Sequence, residues 1–213
     1  MLILKRQKES YQIKLIRAFQ KIEGAKKGSK YFARAKKKAN DENLIIEFQK
    51  QDARSLTFTN EFDVAIMFYE GGFPLMETDE MNYEILKSVT KSLKEKCKFI
   101  FTTLNGLFPL YHSIEKFLDS EMEDGNAKYQ SNTFNLMTFR DYYVTEIEDD
   151  SGIKRKLECN ERYYMPSEIT WLLKSLNYTK IGIFGAKIGA FSRKDKLSTE
   201  DFEMLVIAEK CLF

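Results

Sequence analysis

Three nearly continuous apolar runs constrain the fold more than any other feature of this chain. They lie at residues 44–48, 62–68 and 98–104. Apolar residues at successive positions are typical of strands that are buried on both faces, as in a parallel sheet. Between the second and third runs, residues 79–93 place Ile85 and Val89 on one apolar face at helical spacing. Strand, helix and strand in this order predict a right-handed βαβ unit.

The first forty residues differ from the remainder in both pattern and charge. Residues 9–22 carry apolar side chains at helical spacing and predict a helix, and residues 29–39 predict a second one. Residues 1–40 contain thirteen Lys and Arg and two Glu, a balance of +11, whereas the whole chain carries only +2. A basic arm on an acidic body predicts contact with a polyanion such as nucleic acid. The alternative is that the basic side chains form solvated helix faces or neutralise the body of the protein.

The second half of the chain alternates between helical and extended patterns. A short helix is predicted at residues 109–118, followed by a polar loop at 121–132. Two extended stretches at 134–148 and 153–163 flank Asp-Asp-Ser-Gly, a sequence typical of hairpin turns. Pro166 suits the first turn of a helix. Two closing strands are predicted at residues 180–191 and 202–208.

Composition limits the class of protein. The chain has 213 residues, enough for one domain, and is 43% hydrophobic, enough for a sizeable core. We expect no membrane contact, because no apolar run approaches the roughly 20 residues of a membrane-spanning helix. Cys97, Cys159 and Cys211 match neither a disulfide framework nor a zinc-ligand spacing. We therefore expect a cytoplasmic protein without a structural metal.

Six segments, taken in order, resemble those of a known family. They are YFARAKKKA at 31–39, IEFQKQDAR at 46–54, FDVAIMF at 62–68, ILKSVTKSL at 85–93, KFIFTTLN at 98–105 and MLVIAEK at 204–210. Their order is similar to that of class I S-adenosylmethionine-dependent methyltransferases, particularly the small-molecule type with an inserted hairpin. The resemblance implies an α/β, Rossmann-like, mostly parallel sheet with an antiparallel closing strand. It covers residues 29–213, with the hairpin insertion at about 133–164, and leaves residues 1–28 as a basic helix and loop.

The resemblance also implies a cofactor, S-adenosyl-L-methionine, and a set of residues that bind it. Asp52 stands where the family has an Asp that accepts a hydrogen bond from the adenine amine, and Ala53 where the next residue gives a backbone contact. Phe68 and Tyr69 follow the fourth strand, whose exit lines the methyl-transfer pocket in relatives. The alternative for Asp52 is a loop aspartate or a helix cap.

A small-molecule methyl acceptor is implied as the substrate. Glu70 lies at the exit of the fourth strand, and His112 falls in the helix after the fifth, where the family places substrate contacts. Tyr142 and Tyr163 flank the predicted hairpin and are candidates to cover the acceptor. A single histidine is otherwise structural or exposed, and tyrosines on paired strands otherwise pack across the sheet.

The sequence ahead of residue 29 does not match the front of the family's fold, and we expect the first two strands to be absent. Relatives open with a strand, an acidic-x-Gly-x-Gly turn, a helix and a second strand that ends in an acid. Here Glu23 and two glycines precede residue 29 at the wrong spacing and without a preceding strand. Either the third strand then moves beside the fourth, or two unpaired sheet edges remain and favour a homodimer. Three functions stay open: a methyltransferase homologue with impaired cofactor binding, a truncated pseudoenzyme, and a nucleic-acid-binding protein that uses residues 1–40.

Overall fold

The computed structural model describes residues 2–7, 10–17, 27–68, 72–113, 129–148, 154–187 and 190–211. The helices are α1 (Lys27–Asp41), α2 (Asp79–Ser92), α3 (Leu107–Tyr111) and α4 (Pro166–Ser175), with a 3-10 turn at Ala53–Ser55. The strands are β1 (Leu2–Gln7), β2 (Ser10–Arg17), β3 (Ile46–Lys50), β4 (Phe62–Met67), β5 (Leu93–Leu104), β6 (Tyr129–Asn135), β7 (Arg140–Glu148), β8 (Lys154–Arg162), β9 (Tyr178–Lys187), β10 (Ala190–Lys196) and β11 (Glu203–Lys210). Among these residues, no helix combines the length and the apolar character that crossing a membrane requires.

The large sheet has eight strands in the order β10-β9-β11-β5-β4-β1-β2-β3. The strands β4 and β5 are parallel neighbours, and β3 runs in the same direction on the other side of β1 and β2. The three apolar runs are thus near neighbours in one sheet, as predicted. The strand β11 lies antiparallel between β5 and β9 and closes the sheet. The Rossmann-like α/β expectation is confirmed.

The N-terminal segment is a hairpin, so the helix predicted at residues 9–22 is wrong for residues 10–17, and its remaining residues lie outside those that the structure describes. The strands β1 and β2 pair antiparallel, with Gln7 opposite Ser10. Residues Tyr11, Ile13 and Leu15 alternate with polar residues, so the segment also fits the period of a strand. The extended form is favoured because the hairpin pairs with backbone groups of β3 and β4 that would otherwise stay unpaired.

That hairpin also corrects the expected gap between the family's third and fourth strands. The third strand does not move beside the fourth, and the two edges do not stay unpaired, because β1 pairs with β4 and β2 pairs with β3. The strand β2 takes the place of the family's second strand and runs parallel to β3. The strand β1 takes the place of the first but runs antiparallel to β4. The edges that would favour a homodimer are thus paired within the chain.

The insertion is a three-stranded antiparallel meander, β6-β7-β8. Its β7 and β8 pair with Glu148 opposite Lys154, as predicted for the hairpin. The polar loop predicted up to residue 132 is wrong for its last four residues, which belong to β6. A turn at residues 136–139 divides the predicted stretch 134–148, because the Asn135 side chain accepts hydrogen bonds from the N–H groups of Met137 and Thr138.

The core lies between one face of the large sheet and the helices α2 and α4. Met67, Phe101 and Val206 supply buried side chains from the sheet, and Leu86 and Leu173 supply them from the two helices. All five are completely buried. This packing fixes the carboxyl ends of β4 and β5 relative to the first turns of α2 and α4. Of the helix predicted at 109–118, the structure shows Leu107–Tyr111, and residues 114–118 lie outside the described residues.

Candidate functional site

The carboxyl ends of β3, β4 and β5 meet at one edge of the large sheet. Asp52 follows β3, Phe68 follows β4 and Asn105 follows β5. Open α/β sheets bind ligands outside the carboxyl ends of their strands. Asp52 and Phe68 therefore lie at the edge where sheets of this kind bind ligands, and their role in binding a cofactor stays a prediction.

Asp52 forms a compact ion pair with Arg54 at this edge. One of its carboxylate oxygens accepts a hydrogen bond from the Arg54 backbone N–H at 2.9 Å, which caps the 3-10 turn. The other oxygen lies 2.6 Å from Arg54 Nη2. The hydrogen bonds from Arg54 hold the pKa of Asp52 below its ordinary value. The carboxylate is thus ionised at neutral pH, and 39% of the Asp52 side chain stays exposed.

Ala53 and Phe68 are held in place by apolar contacts. The Ala53 methyl group is buried in the main core. The Phe68 ring stacks on Phe191 of β10, with centroids 4.8 Å apart and planes 27° apart. Because Met67 points into the core, Phe68 lies toward the opposite face of the sheet. Tyr69 and Glu70 lie outside the described residues.

Two of the acceptor candidates meet in an aromatic cluster at the end of β5. The His112 ring lies 4.3 Å from Phe108, which contacts Phe202 at 5.4 Å. Phe202 in turn contacts the buried Tyr163 at 6.0 Å. His112 Nε2 lies 3.3 Å from Glu200 Oε2, but this approach lacks hydrogen-bond geometry. The cluster joins the first turn after β5 to the meander and the β10–β11 connection.

Tyr142 does not join this cluster. It lies opposite Asn160 in the β7–β8 register, and Arg140, two residues earlier on the same strand, lies opposite Arg162. Side chains two residues apart share a strand face, so Tyr142 shares its face with Arg140. Tyr142 is 39% exposed.

Asn105 and Gly106 connect β5 to the meander. The Asn105 amide group donates to the carbonyls of Ser198 and Asp201, and its oxygen accepts from the Leu107 N–H. The Gly106 N–H donates to the Tyr164 carbonyl at 2.9 Å. A Cβ atom at residue 106 would lie 3.2 Å from the Tyr164 carbonyl carbon, so only glycine allows this approach without a shift.

A buried ion-pair network, which the sequence does not reveal, fixes the meander to α2 and α4. The Arg140 guanidinium donates to the Met76 carbonyl at 2.8 Å and pairs with Asp79. The Arg162 guanidinium lies 3.3 Å from the second Asp79 oxygen and 2.7 Å from Glu168. The Arg140 and Arg162 side chains are only 5% and 8% exposed. Local pattern does not indicate this network, because Asp79 lies 61 and 83 residues from its two arginines, and its local signals are only the acidic first turns of α2 and α4.

A second group of titratable side chains lies on one face of the meander. Asp141 is opposite Glu161 in the β7–β8 register, and Tyr143 is opposite Cys159. Glu161 accepts a hydrogen bond from the Tyr143 hydroxyl at 2.8 Å. Burial raises the pKa of Glu161 and also that of Tyr143. No local pattern indicates this group, because its members alternate along β7 and β8 with the arginines and other residues of the opposite face.

Comparison with known proteins shows which fold this chain shares. Neither protein-family models nor curated proteins match the sequence. Among solved structures, an S-adenosylmethionine-dependent methyltransferase from Clostridium acetobutylicum aligns with a TM-score of 0.60 at 17% identity, over 84% of this chain and 71% of its own. A methyltransferase from Methanosarcina mazei aligns with 0.55 at 16% identity, over 94% and 82%. The CcbJ methyltransferase from Streptomyces caelestis aligns with 0.57 at 8% identity, over 85% and 71%. The chain has the fold of these methyltransferases.

The residues at the carboxyl edge fit only one end of the cofactor that this fold implies. Asp52 is an ionised, partly exposed acceptor after the third strand position, which suits an adenine amine. The glycine-rich turn would follow the first strand position, but β1 is antiparallel to β4 there and begins near the carboxyl end of β4, with Leu2 opposite Ile66. The chain therefore cannot form that turn at that place. Glu23, the acid that precedes the two glycines in the sequence, lies outside the described residues.

Proposed function

We propose that this protein is an S-adenosylmethionine-dependent methyltransferase homologue of the small-molecule type with weakened cofactor binding. The observation that carries the proposal is the likeness in fold over 84–94% of the chain. Methyl transfer from a sulfonium depends on alignment of donor and acceptor more than on acid–base residues. A chain with one histidine is therefore compatible with this chemistry.

The hairpin β1–β2, which occupies the first and second strand positions of the fold, determines how the cofactor would bind. When bound, the cofactor supplies the electrophilic methyl group. Asp52 would accept from the adenine amine, and the hydrophobic exit of β4 at Phe68 would line the donor pocket. The reversed β1 removes the support for the methionine end. Each lost hydrogen bond to a polar or charged group costs about 1–3 kcal/mol, so two or three losses weaken binding by roughly two to six powers of ten.

Calorimetric titration with S-adenosylmethionine, adenosine and methionine tests this proposal. If only the adenine end is held, we expect adenosine and S-adenosylmethionine to bind with similar, millimolar affinity and methionine to give no signal. The Asp52→Ala variant should abolish both binding events. The matched control is Asp63→Ala, because Asp63 forms a similar ion pair with Lys94, near the opposite end of β4. Micromolar binding of the whole cofactor, at least a hundredfold tighter than adenosine, would overturn the proposal.

A pseudoenzyme is the second candidate, and the reversed β1 favours it. A homologue that holds adenosine but not the methionine end cannot align the methyl group with an acceptor. We expect no transfer to small amine, hydroxyl or thiol acceptors at saturating cofactor. Methyl transfer that Asp52→Ala abolishes would exclude the pseudoenzyme.

The basic N-terminal region supports a further candidate, contact with nucleic acid. Lys36, Lys37 and Lys38 are exposed on α1, so this part of the basic run is accessible to a polyanion. Fluorescence anisotropy with labelled single- and double-stranded oligonucleotides measures the salt dependence of any binding. A steep fall of affinity with salt concentration, equivalent to several phosphate contacts, would support this candidate if it becomes shallower when the three lysines are replaced by glutamine. Binding that is unchanged in this variant would exclude α1 as the nucleic-acid contact.

A further inference from the structure

The two outer edges of the large sheet differ in how they are protected. Within the part of the chain that the structure describes, β10 pairs with β9 alone at one edge and β3 pairs with β2 alone at the other. The β10 ladder is interrupted by a register shift between Phe191 and Lys196, and the strand also carries Arg193 and Lys194. Irregular pairing and basic side chains discourage a further strand from adding to an edge. The β10 edge is therefore protected.

The outer edge of β3 lacks these devices. Its ladder with β2 extends over the whole strand without a register shift. The strand contains no proline, and its one basic residue is Lys50, at its last position. Directly before the strand, Leu44 is 47% exposed and Ile45 is 89% exposed. A regular edge that continues into exposed aliphatic side chains is a template for another extended chain.

The symmetry of a two-fold dimer selects one register for a second copy of β3. In such a dimer the same surface serves both copies, and the two strands run antiparallel. Side chains that face each other across an antiparallel pair point to the same face of the sheet, so the axis passes through a residue and not between two residues. Phe48 is the middle residue of Ile46–Lys50, so an axis there pairs the strand over its full length. It also places two phenylalanines opposite each other, whereas an axis at Glu47 would oppose two carboxylates.

We propose that β3 pairs antiparallel with β3 of a second copy of this chain, centred on Phe48. In this register Glu47 faces Gln49 of the second copy. One step beyond the strand on each side, Ile45 faces Gln51, and the next position brings Leu44 to Asp52. Two side chains that are exposed in the single chain thus become part of the interface.

This register also changes the surroundings of the Asp52 carboxylate. Asp52 follows β3 at the carboxyl edge, and its side chain is 39% exposed. The antiparallel second copy brings the amino end of its own β3 to this edge, with Leu44 and Ile45. Their aliphatic side chains offer an apolar wall for an adenine ring whose amine Asp52 accepts. This consequence rests on the proposed function, whereas the dimer itself does not.

Disulfide cross-linking tests the register without any ligand. Directly opposite residues of an antiparallel pair have Cα atoms about 4.5–5.5 Å apart, within the range of a disulfide. Mild oxidation of a mixture of Glu47→Cys and Gln49→Cys chains should give a covalent dimer, and either variant alone should stay at the background of the parent chain. The mixture of Ile45→Cys and Gln51→Cys should behave in the same way. No cross-link in the mixtures, or equal cross-linking of the single variants, would overturn the register.

Sedimentation equilibrium of the full chain over a wide range of concentrations tests the dimer itself. The Gln49→Glu substitution places a carboxylate opposite Glu47 twice in each dimer and should weaken association by roughly two- to thirtyfold. The Gln49→Lys substitution places an ammonium group there and should strengthen it by a similar factor. Glutamate and lysine at Thr179, an exposed position on β9, are the matched controls and should leave association unchanged. A monomer at every concentration, or the same response to both Gln49 variants, would refute the proposal.

Discussion

Two carboxylates near the carboxyl edge of the sheet pair with arginines, but the pairs differ in reach and exposure. Asp52 pairs with Arg54 two residues away, and their side chains are 39% and 33% exposed. Asp79 pairs with Arg140 and Arg162, which lie 61 and 83 residues away and are almost fully buried. The first pair shapes one turn and leaves its carboxylate accessible to a ligand. The second joins the meander to the main domain. The same chemistry thus holds a partly exposed carboxylate after β3 in one place and joins two parts of the fold in the other.

The largest expected change in stability comes from removing the buried guanidinium group of Arg140. The Arg140→Met substitution leaves Asp79, Asn160 and the Met76 carbonyl without their shared donor, and we expect it to lower the free energy of unfolding by about 3 kcal/mol. The matched change in the exposed pair, Arg54→Met, should cost less than about 1 kcal/mol. Urea denaturation of both variants checks the comparison. Equal losses would show that the two ion pairs do not differ as described.

The meander holds a partly buried carboxylate, Glu161, whose contribution to stability depends on pH. Because burial raises the pKa of Glu161 above its ordinary 4.5, the folded state binds this proton more tightly than the unfolded state. Its stabilising contribution is complete below pH 4.5 and is lost as the pH rises through the folded pKa. We therefore expect Glu161→Gln to be more stable than the parent chain at pH 8, with the difference shrinking toward pH 4. Thermal unfolding across this range measures the difference, and Glu158→Gln, at an exposed position of β8, serves as the matched control.

Arg54, which pairs with Asp52, should compete with a ligand for the Asp52 carboxylate. If Arg54 and the adenine amine share Asp52, Arg54→Met should raise the affinity for adenosine by up to about fivefold, the range expected for an exposed ion pair. Calorimetry of the single variant and of Asp52→Asn/Arg54→Met tests this, because the double variant should show no gain. Weaker binding in Arg54→Met would mean that the arginine positions Asp52 for its ligand.

The smallest effect concerns the stability that Asp52 contributes. Its pKa is lowered by Arg54, so the contribution is present above the ordinary value of 3.8 and is lost as the pH falls through the folded pKa. Because the pair is exposed, we expect no more than about 0.5 kcal/mol. The difference between the parent chain and Asp52→Asn at pH 6 and pH 3 measures it. A difference above 1 kcal/mol would place Asp52 among the structural carboxylates, together with Asp79.

The sequence predicted those parts of the fold that depend on local pattern. The continuous apolar runs indicated β3, β4 and β5, and the turn-forming sequence Asp-Asp-Ser-Gly indicated the pair β7 and β8. Residues 10–17 could not be assigned in this way, because Ile13 and Leu15 fit both a helical face and an alternating strand. Their conformation depends on pairing with Ile46 and with a hairpin partner that itself pairs with β4. The family resemblance led to the carboxyl edge through Asp52, but the arginine network depends on contacts between distant segments that no local pattern encodes.

The reversed direction of β1 has a consequence for handling the protein. Since Leu2 lies opposite Ile66, the first residues emerge at the carboxyl edge of the sheet, beside the exit of β4. The closing strand β11 runs antiparallel to β5, so Lys210 emerges at the other edge, next to Tyr178. A purification tag joined directly before Leu2 would therefore start at the candidate ligand edge and could obscure weak binding. A tag joined directly after Lys210 would start at the opposite edge and leave the candidate ligand edge accessible.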